Sequence, residues 1–251
     1  MGVAYNPFSL EGKTILVTGA SSGIGRQTAI ECSKMGAKVI VCGRNQERLN
    51  ETLSSLEGEG HVPFTGDLLD ENIIKQLVQE IPNIDGAVLA AGRGLTLPVL
   101  FSTREKFDEI FNINFFSNVE LMRLLAKKKK INAQGSVVFI VSIGGTRRYS
   151  PGNAIYGTAK AALQSMVHFA AVELASKKIR VNGICPGMVE TPLIGKGTIS
   201  QEQMNADIEK YPLKRYGKPE DVALGAVYLL SEASSWVTGH SLVIDGGITA
   251  K

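Results

Sequence analysis

Seven short runs rich in β-branched residues alternate with longer helical patterns along the whole chain, and this alternation constrains the fold most strongly. Most of the runs are continuously apolar, as expected for strands that are covered on both faces. The helical patterns between them include Ile24–Met35, Glu47–Leu56 and Ile155–Ala175. The sequence therefore predicts an α/β fold with a central seven-stranded parallel sheet flanked by helices on both faces. The predicted strands are Thr14–Thr18, Lys38–Cys42, His61–Thr65, Gly86–Ala90, Ser136–Val141, Arg180–Ile184 and Ser241–Ile244.

Length and composition limit the classes of protein to consider. The 251 residues lack a repeat or linker, so we expect one domain over residues 1–251. A net charge of +3 is too small to indicate a nucleic-acid partner. No apolar run approaches the roughly 18 residues of a membrane span, and the first residues lack a basic and apolar signal region. We expect a cytoplasmic protein with no membrane or nucleic-acid partner.

Cysteine and histidine are sparse. Cys32, Cys42 and Cys185 stand far apart in apolar surroundings, so they fit small buried side chains in a reducing compartment. The histidines are isolated as well, and no metal site is predicted.

A glycine-rich turn, TGASSGIG at residues 18–25, follows the first strand and opens the first helical pattern. Gly19 permits a tight turn, Gly23 lets a pyrophosphate approach the backbone, and the helix N-terminus supplies N–H donors. The spacing GxxxGxG differs from the GxGxxG dinucleotide fingerprint, and a plain strand–helix turn is the alternative. Its place in the first βαβ unit favours cofactor binding in a doubly wound, Rossmann-type fold. The expected contacts within it are Gly19, Ser21, Ser22, Gly23, Ile24 and Gly25.

The end of the second strand indicates which nucleotide binds. It carries Arg44 and no acidic residue, whereas NAD sites usually place an Asp or Glu there. An arginine suits a 2′-phosphate, so NADP(H) is favoured over NAD(H). The alternatives are that Arg44 flanks the next helix or stacks on adenine. Asp67, followed by Leu68, is placed to reach the adenine, although a turn-forming aspartate looks the same.

Tyr156 and Lys160, in YGTAK, share one helix face with an apolar stripe that includes Leu163 and Val167. The lysine should therefore face the interior, where lysines are rare without a partner. A nearby cation lowers the pKa of a phenol, which is otherwise near 10 and too high for acid–base catalysis at neutral pH.

These features together resemble the short-chain dehydrogenase/reductase family, in its single-domain branch of about 250 residues and near its 3-oxoacyl-[acyl-carrier-protein] reductases. The resemblance covers essentially the whole chain. It includes TGASSGIG, Asn114 in NIN, Ser142 fourteen residues before Tyr156, and YGTAK. Further matches are LAAG at 89–92, CPGMVETP at 185–192 and IDGG at 244–247. One departure is Ala90, where the family commonly has an asparagine.

The resemblance implies an NADPH-dependent oxidoreductase that interconverts a ketone and an alcohol, with Asn114, Ser142, Tyr156 and Lys160 as a catalytic tetrad. Tyr156 would exchange the proton, Ser142 would bond the carbonyl oxygen, and Lys160 would support the phenol and the nicotinamide ribose. The matching asparagine of the family helps to hold a water that relays protons; a buried asparagine with satisfied hydrogen bonds is the alternative for Asn114. Further cofactor contacts are expected from Ala91, Gly92, Pro186, Gly187, Val189 and Thr191.

The substrate pocket is expected to be mostly apolar. Besides Ser142 and Tyr156, its predicted wall consists of Ile143, Gly144, Met188, Leu193 and Ile194. Residues 193–216 have the weakest pattern and follow a strand, and we interpret them as a substrate lid. Arg147 and Arg148 could meet an acidic substrate, although such a pair is more often solvent-exposed.

Partners are less clearly indicated. The run Lys127–Lys130 closes a predicted helix, where cations complement the helix dipole; the alternative is docking of an acyl carrier protein. Carrier-dependent reductases of the family often have an arginine where this chain has Val172. The resemblance also implies a homo-oligomer, a tetramer or a dimer. A non-catalytic NADP-binding or scaffold protein is the remaining alternative.

Overall fold

The computed structural model describes residues 5–192 and 200–250. Seven strands form one sheet in which every neighbouring pair is parallel. They are β1 (Thr14–Thr18), β2 (Lys38–Gly43), β3 (Val62–Thr65), β4 (Ile84–Leu89), β5 (Ile131–Ile140), β6 (Arg180–Pro186) and β7 (Ser241–Ile244).

Eight α-helices accompany these strands in the described part of the chain. They are α1 (Gly23–Lys34), α2 (Gln46–Leu53), α3 (Glu71–Glu80), α4 (Arg104–Phe111), α5 (Ser117–Lys127), α6 (Ala154–Leu174), α7 (Gln201–Ile208) and α8 (Pro219–Leu230). A π-helical turn, Asn112–Phe116, joins α4 to α5.

The strand order is β3-β2-β1-β4-β5-β6-β7, so the chain reverses its direction of travel through the sheet between β1 and β4. Thr18, at the end of β1, pairs with Cys42 on one side and with Leu89 on the other. The carboxyl ends of the central strands are therefore level. In open α/β sheets, ligands bind in the crevice at such a reversal point.

Each face of the sheet buries its own core. Leu16, Leu121, Phe139 and Leu163 belong to the core under α5 and α6. Ile15, Ala29, Val138 and Val222 belong to the core under α1 and α8. Successive strand residues point to opposite faces, which explains why one strand supplies both cores. The prediction of a Rossmann-type parallel sheet covered on both faces is confirmed.

Several element boundaries differ from the prediction. β5 begins at Ile131 rather than Ser136, because its first half pairs with β4 across a register shift between Ile84 and Gly86. The polar residues Asn132 and Gln134, the latter with φ of +66°, hide that half in the sequence pattern. β4 extends over Ile84–Leu89 instead of Gly86–Ala90. β1 and β7 have the predicted bounds, whereas the ends of β2, β3, β6 and the three named helices differ by one to three residues.

Other expectations concern single features. Cys32, Cys42 and Cys185 are buried and unbonded, as predicted. None of the helices in the described ranges is long and apolar enough to cross a membrane. Of the predicted lid, Leu193 and Ile194 lie outside the described residues, whereas α7 and the turn to Tyr216 lie within them.

Candidate active site

A single threonine hydroxyl joins β1 to β4 at the reversal point. Thr18 Oγ1 accepts the N–H of Ala90 at 3.1 Å and that of Ala91 at 3.2 Å. Both donors are backbone groups, so the alanine at position 90, where the resemblance implies an asparagine, does not break the link. The link fixes the start of the glycine turn against the loop that follows β4.

The glycine turn fits a phosphate group. Gly19 and Gly23 have φ of +65° and +54°, and a Cβ on Gly25 would overlap the carbonyl group of Gly19. The Ser22 side chain makes no capping bond at the start of α1, and the first turn contains no acidic residue. The first N–H groups of α1 and the positive end of its dipole are thus available to an anion.

The turn after β6 reaches the glycine turn. A Cβ on Gly23 would lie 3.2 Å from Thr191 Cγ2, so Thr191 stands directly over the start of α1. Gly187, whose N–H bonds to the carbonyl of Ile244, packs against Asp245, and a Cβ there would lie 2.9 Å from Asp245 Cα. Val189 is buried and pairs with Gly217. Pro186, Gly187, Val189 and Thr191 therefore close the crevice on the β6 side.

The end of β2 is more exposed. The Arg44 guanidinium lies 3.8 Å from the Asp67 carboxylate, and the two side chains are 66% and 44% exposed. Asp67 Oδ1 also accepts the N–H of Leu69 at 3.0 Å, the turn-forming role weighed as its alternative, while Leu68 is buried beside it. Ser21 lies close to Gly43, where a Cβ would be 3.4 Å from its hydroxyl oxygen. The carboxyl edge is the edge of the sheet at which the carboxyl ends of the strands meet. We call Ser21, Arg44 and Asp67 the open half of this carboxyl edge.

Lys160 is buried, with 5% of its surface exposed, as its position on the apolar face of α6 predicts. Its Nζ donates a hydrogen bond to the Ile140 carbonyl at 2.7 Å and lies 5.9 Å from the centre of the Tyr156 ring. A Cβ on Gly92 would lie 3.6 Å from this Nζ, so the loop after β4 also approaches the ammonium. Burial lowers the pKa of Lys160 from 10.5 to about 8.

Tyr156 and Ser142 interact at the start of α6. Burial raises the pKa of the Tyr156 phenol above its ordinary value, and a hydrogen bond from Ser142 opposes the rise. Ser142 Oγ accepts the N–H of Gly144 at 3.0 Å, which directs its own proton away from that N–H. The resemblance implies a lowered phenol pKa once Lys160 and a positive nicotinamide act together. Without the cofactor, the groups of the protein itself raise the pKa of Tyr156 instead, so the phenol keeps its proton at neutral pH.

Asn114 lies in the π-helical turn that joins α4 to α5. Its Oδ1 accepts the N–H of Arg93 at 2.9 Å, and its Nδ2 donates to the carbonyl of Arg93 at 2.8 Å. The side-chain amide is thus engaged with the backbone of the loop after β4, and it is fully buried. This is the buried asparagine with satisfied hydrogen bonds that the sequence left open as the alternative.

Asn118, one turn after Asn114, also belongs to this site, although no motif in the sequence singles it out. Its side chain is 1% exposed, and its Nδ2 lies 3.1 Å from the Ala91 carbonyl, 2.9 Å from that of Ile113 and 3.3 Å from that of Asn114. It therefore ties the π-helical turn to the end of β4. The spacing of four residues from Asn114 was the available signal. We call Asn114, Asn118, Ser142 and Lys160 the buried half of the carboxyl edge.

Two glycines join the loop after β5 to the first turn of α6. Gly145 has φ of +81°, and a Cβ on it would overlap the Gly157 carbonyl; one on Gly157 would lie 3.1 Å from Gly145 Cα. The contact holds Ser142 and Tyr156 at a fixed spacing although thirteen residues separate them. Ile143 and Gly144, two predicted wall residues, are buried beside it.

The described part of the predicted lid is anchored to both flanking loops. Arg148 reaches Asp207 of α7 at 3.4 Å, and the Tyr216 hydroxyl bonds to the same carboxylate at 3.1 Å. The Tyr211 hydroxyl accepts the N–H of Met188 at 3.2 Å. Burial and the Asp207 charge raise the pKa of Tyr216 to about 12, so it stays a neutral donor. Arg148 is therefore bound within the protein.

Arg147 is exposed and makes no side-chain hydrogen bond or ion pair with any residue that the structure describes. Within the same residues, no group of three His, Cys, Asp or Glu side chains could hold a metal ion.

Comparisons with known proteins show which chains this one is similar to. A family described as enoyl-(acyl carrier protein) reductase matches residues 19–249. A tropinone reductase homolog of Arabidopsis thaliana is 35% identical over 250 residues, which cover 96% of this chain and 94% of that protein. A 3-oxoacyl-[acyl-carrier-protein] reductase of Rickettsia bellii is 34% identical over 239 residues, covering 95% and 98%.

A solved structure gives the same architecture. A candidate NAD(P)-dependent gluconate 5-dehydrogenase of Beutenbergia cavernae, with NADP bound at low occupancy, superposes with a TM-score of 0.88 at 29% identity. The match covers 98% of this chain and all of that one. This chain belongs to the short-chain dehydrogenase/reductase family, near its 3-oxoacyl-[acyl-carrier-protein] reductases, and is an oxidoreductase that interconverts alcohols and carbonyl compounds with a nicotinamide cofactor.

Proposed function

We propose that this protein reduces a ketone to an alcohol with NADPH, or catalyses the reverse, with Tyr156 as the general acid or base. The buried Lys160 ammonium beside the Tyr156 ring carries this proposal. A lysine at 5% exposure is costly unless its charge is used.

Each proposed role follows from a described contact. Tyr156 holds a proton at neutral pH because burial raises its pKa, which suits donation to a carbonyl oxygen. Ser142, whose oxygen accepts the Gly144 N–H, is proposed to donate its own proton to the same carbonyl oxygen and to stabilise the developing charge. Lys160 supplies positive charge beneath the phenol. Asn114 and its backbone partner Arg93 position the loop that borders the reacting groups.

The glycine turn, Ala91, Gly92, Pro186, Gly187, Val189 and Thr191 are proposed to hold the cofactor. When bound, the nicotinamide supplies or accepts the hydride. Arg44 is proposed to select NADP(H) over NAD(H), since its guanidinium is exposed at the end of β2 with only the partly exposed Asp67 beside it. Bound NADP in the structure of the gluconate 5-dehydrogenase candidate supports this preference.

A 3-oxoacyl thioester is the second substrate candidate, favoured by the 34% identity to the Rickettsia reductase. The lysine run does not strengthen it. Lys127–Lys130 precede β5, whereas Ser142 follows β5, so they lie at opposite edges of the sheet. Val172 is 79% exposed and offers no charge to an acidic carrier. We therefore propose a medium-sized ketone, with the carrier-bound thioester as the alternative.

Assembly and location are also proposals. Phe116, directly before α5, and Phe169 and Val172 on α6 are 54%, 64% and 79% exposed. These exposed apolar side chains support a homo-oligomer formed through α5 and α6. Strands from both ends of the chain enter one sheet, which supports one domain over residues 1–251 with a lid at 193–216. A cytoplasmic location fits the three unbonded cysteines.

The test is Tyr156→Phe, assayed for NADPH oxidation with 3-oxoacyl thioesters and small ketones, with NADH alongside. The variant should lose turnover by about 10²- to 10⁴-fold, the usual contribution of a general acid, while NADPH affinity measured by calorimetry stays nearly unchanged. Wild-type rates in the variant would refute the proposed mechanism. A wild-type protein that binds NADPH but turns over none of these compounds would favour the non-catalytic alternative.

A further inference from the structure

The ends of α5 and α6 lie together at the amino edge of the sheet, where β5 and β6 begin. α5 closes with Lys129 in a left-handed conformation, φ +56°, and the next N–H, that of Lys130, bonds to Leu125 at 2.9 Å. The short turn after α6 closes in the same way at Lys178, φ +59°. Lys177 Nζ reaches the Ala126 carbonyl of α5 at 3.4 Å, so the two ends are adjacent.

Both closing positions normally favour glycine. A left-handed conformation costs a residue with a side chain about 1 kcal/mol. Lysine is therefore present at Lys129 and Lys178 against a backbone preference. A cation that only complements a helix dipole does not need these two positions.

Six lysines lie at this edge: Lys127, Lys128, Lys129, Lys130, Lys177 and Lys178. Two of them bind backbone carbonyl groups at helix ends, as expected for cations that complement a helix dipole. Lys130 Nζ donates to the carbonyl of Ile81 at 2.5 Å, and Lys177 Nζ donates to that of Ala126. The other four side chains make no hydrogen bond or ion pair to any residue within the described ranges. These four are Lys127, Lys128, Lys129 and Lys178.

A cavity of about 240 Å³ opens between the two helix ends. Its lining combines three apolar residues, Ala126, Ile131 and Ile179, with the lysines Lys129 and Lys177. The cavity therefore has a small apolar floor, formed by three residues that are at most 8% exposed, next to two ammonium groups.

The six lysines decide the sign of the net charge of the chain. Without them, 21 basic residues would stand against 24 acidic ones, a net charge of −3 instead of +3. Charge of one sign that is gathered around a concave site raises the local concentration of the opposite ion.

This cavity is separate from the active site. β5 runs for ten residues, roughly 30 Å at about 3.3 Å per residue, from the cavity residue Ile131 towards Ser142. A ligand in the cavity does not contact the reacting groups.

We propose that the cavity binds a phosphate monoester that carries a short apolar group. The phosphate dianion pairs with Lys129 and Lys177, and the apolar group covers Ala126, Ile131 and Ile179. Lys127, Lys128 and Lys178 add to the surrounding potential. The site goes beyond the proposed oxidoreductase function and does not depend on it.

The test titrates butyl phosphate and, separately, inorganic phosphate into the full chain with saturating NADP⁺, which occupies the glycine turn. Calorimetry gives the affinity, and methyl NMR of the isoleucines gives the location. We expect saturable binding of butyl phosphate at one site per chain, shifts of the Ile131 and Ile179 methyl signals, and none at Ile143.

Matched variants separate the site from general charge effects. Lys129→Gly should weaken binding about tenfold, as loss of one charge-assisted contact predicts, without loss of stability. Lys214→Gly is the control, because Lys214 is also left-handed, φ +51°, but bonds to Glu209 away from the cavity. The affinity of the Lys214→Gly variant for butyl phosphate should match that of the wild type.

Four results would overturn the proposal. These are no saturable binding in the millimolar range, equal affinity in Lys129→Gly and Lys214→Gly, methyl shifts confined to Ile143, or inorganic phosphate binding as tightly as butyl phosphate. The last would show that the apolar lining contributes nothing.

Discussion

The two halves of the carboxyl edge are built differently. In the buried half, Lys160 and Asn118 are at most 5% exposed, and their nitrogen atoms bond to backbone carbonyls. In the open half, Arg44 and Asp67 are 66% and 44% exposed and only 3.8 Å apart. A shifted pKa requires removal from water, whereas recognition of an exposed phosphate requires only a charge within reach. The comparison teaches that the shifted pKa of the buried half depends on packing, whereas the charges of the open half remain in water and can be exchanged at little cost in stability.

The largest effect in this comparison should come from Lys160→Met. We expect kcat to fall by about 10²-fold or more, because the phenol loses its cation. The free energy of unfolding should rise at neutral pH. In the wild type, the drop of the Lys160 pKa from 10.5 in the unfolded chain to about 8 in the folded one destabilises the fold by about 3 kcal/mol, and the substitution removes this penalty. The substitution also removes the hydrogen bond to Ile140, which lowers the gain by about 1 kcal/mol.

The pH dependence follows from the same values. Between pH 8 and 10.5 the unfolded chain binds more protons at Lys160 than the folded one, so the wild type gains stability as pH rises. The advantage of Lys160→Met should shrink over this range and be gone by its upper end. Urea unfolding of both proteins at pH 7, 9 and 10.5 measures it, and an advantage that grows with pH would contradict the assigned burial.

An intermediate effect is expected from Asn118→Ala. Three carbonyls lose a buried donor, which should lower the free energy of unfolding by about 1–2 kcal/mol. Because the loop at Ala91 loses its tie, kcat should also fall by about tenfold, a loss of about 1.4 kcal/mol of transition-state stabilisation. Ser117→Ala is the control, since Ser117 bonds only to Ile113 within the helix. Equal kcat values in the two variants would show that Asn118 is not a positioning residue.

The smallest effect on stability should come from the open half. Arg44→Gln should leave the free energy of unfolding within about 0.5 kcal/mol, because exposed pairs contribute little. It should raise KM for NADPH by at least about tenfold through loss of a charge-assisted bond, with NADH unchanged. Asp67→Asn removes the competing carboxylate and should lower KM for NADPH severalfold. Steady-state kinetics with both cofactors checks this, and a parallel loss for NADH would assign Arg44 to adenine instead.

Patterns that reflect burial were readable from the sequence. The continuous apolar strands gave the sheet, and the position of Lys160 on an apolar stripe predicted its burial. The first half of β5 was missed because polar residues and a register shift interrupt its pattern.

Contacts between distant segments were not readable. The π-helical turn that carries Asn114 adds no periodic signal, and Asn118 bonds to Ala91, 27 positions away. Arg148 was considered for an acidic substrate, but its partner Asp207 lies 59 positions further on, in the segment with the weakest pattern. Such pairings depend on how the loops meet in space.

The contact between Gly145 and Gly157 has a consequence for how this protein can diversify. It clamps the ends of the loop formed by residues 146–153, so insertions or exchanges within that loop would not alter the spacing of Ser142 and Tyr156. What the mouth of the site admits can thus vary independently of the proton-transfer geometry. A graft of residues 146–153 from a relative should transfer substrate preference in one step, provided that Gly145, Tyr156 and Gly157 are left in place.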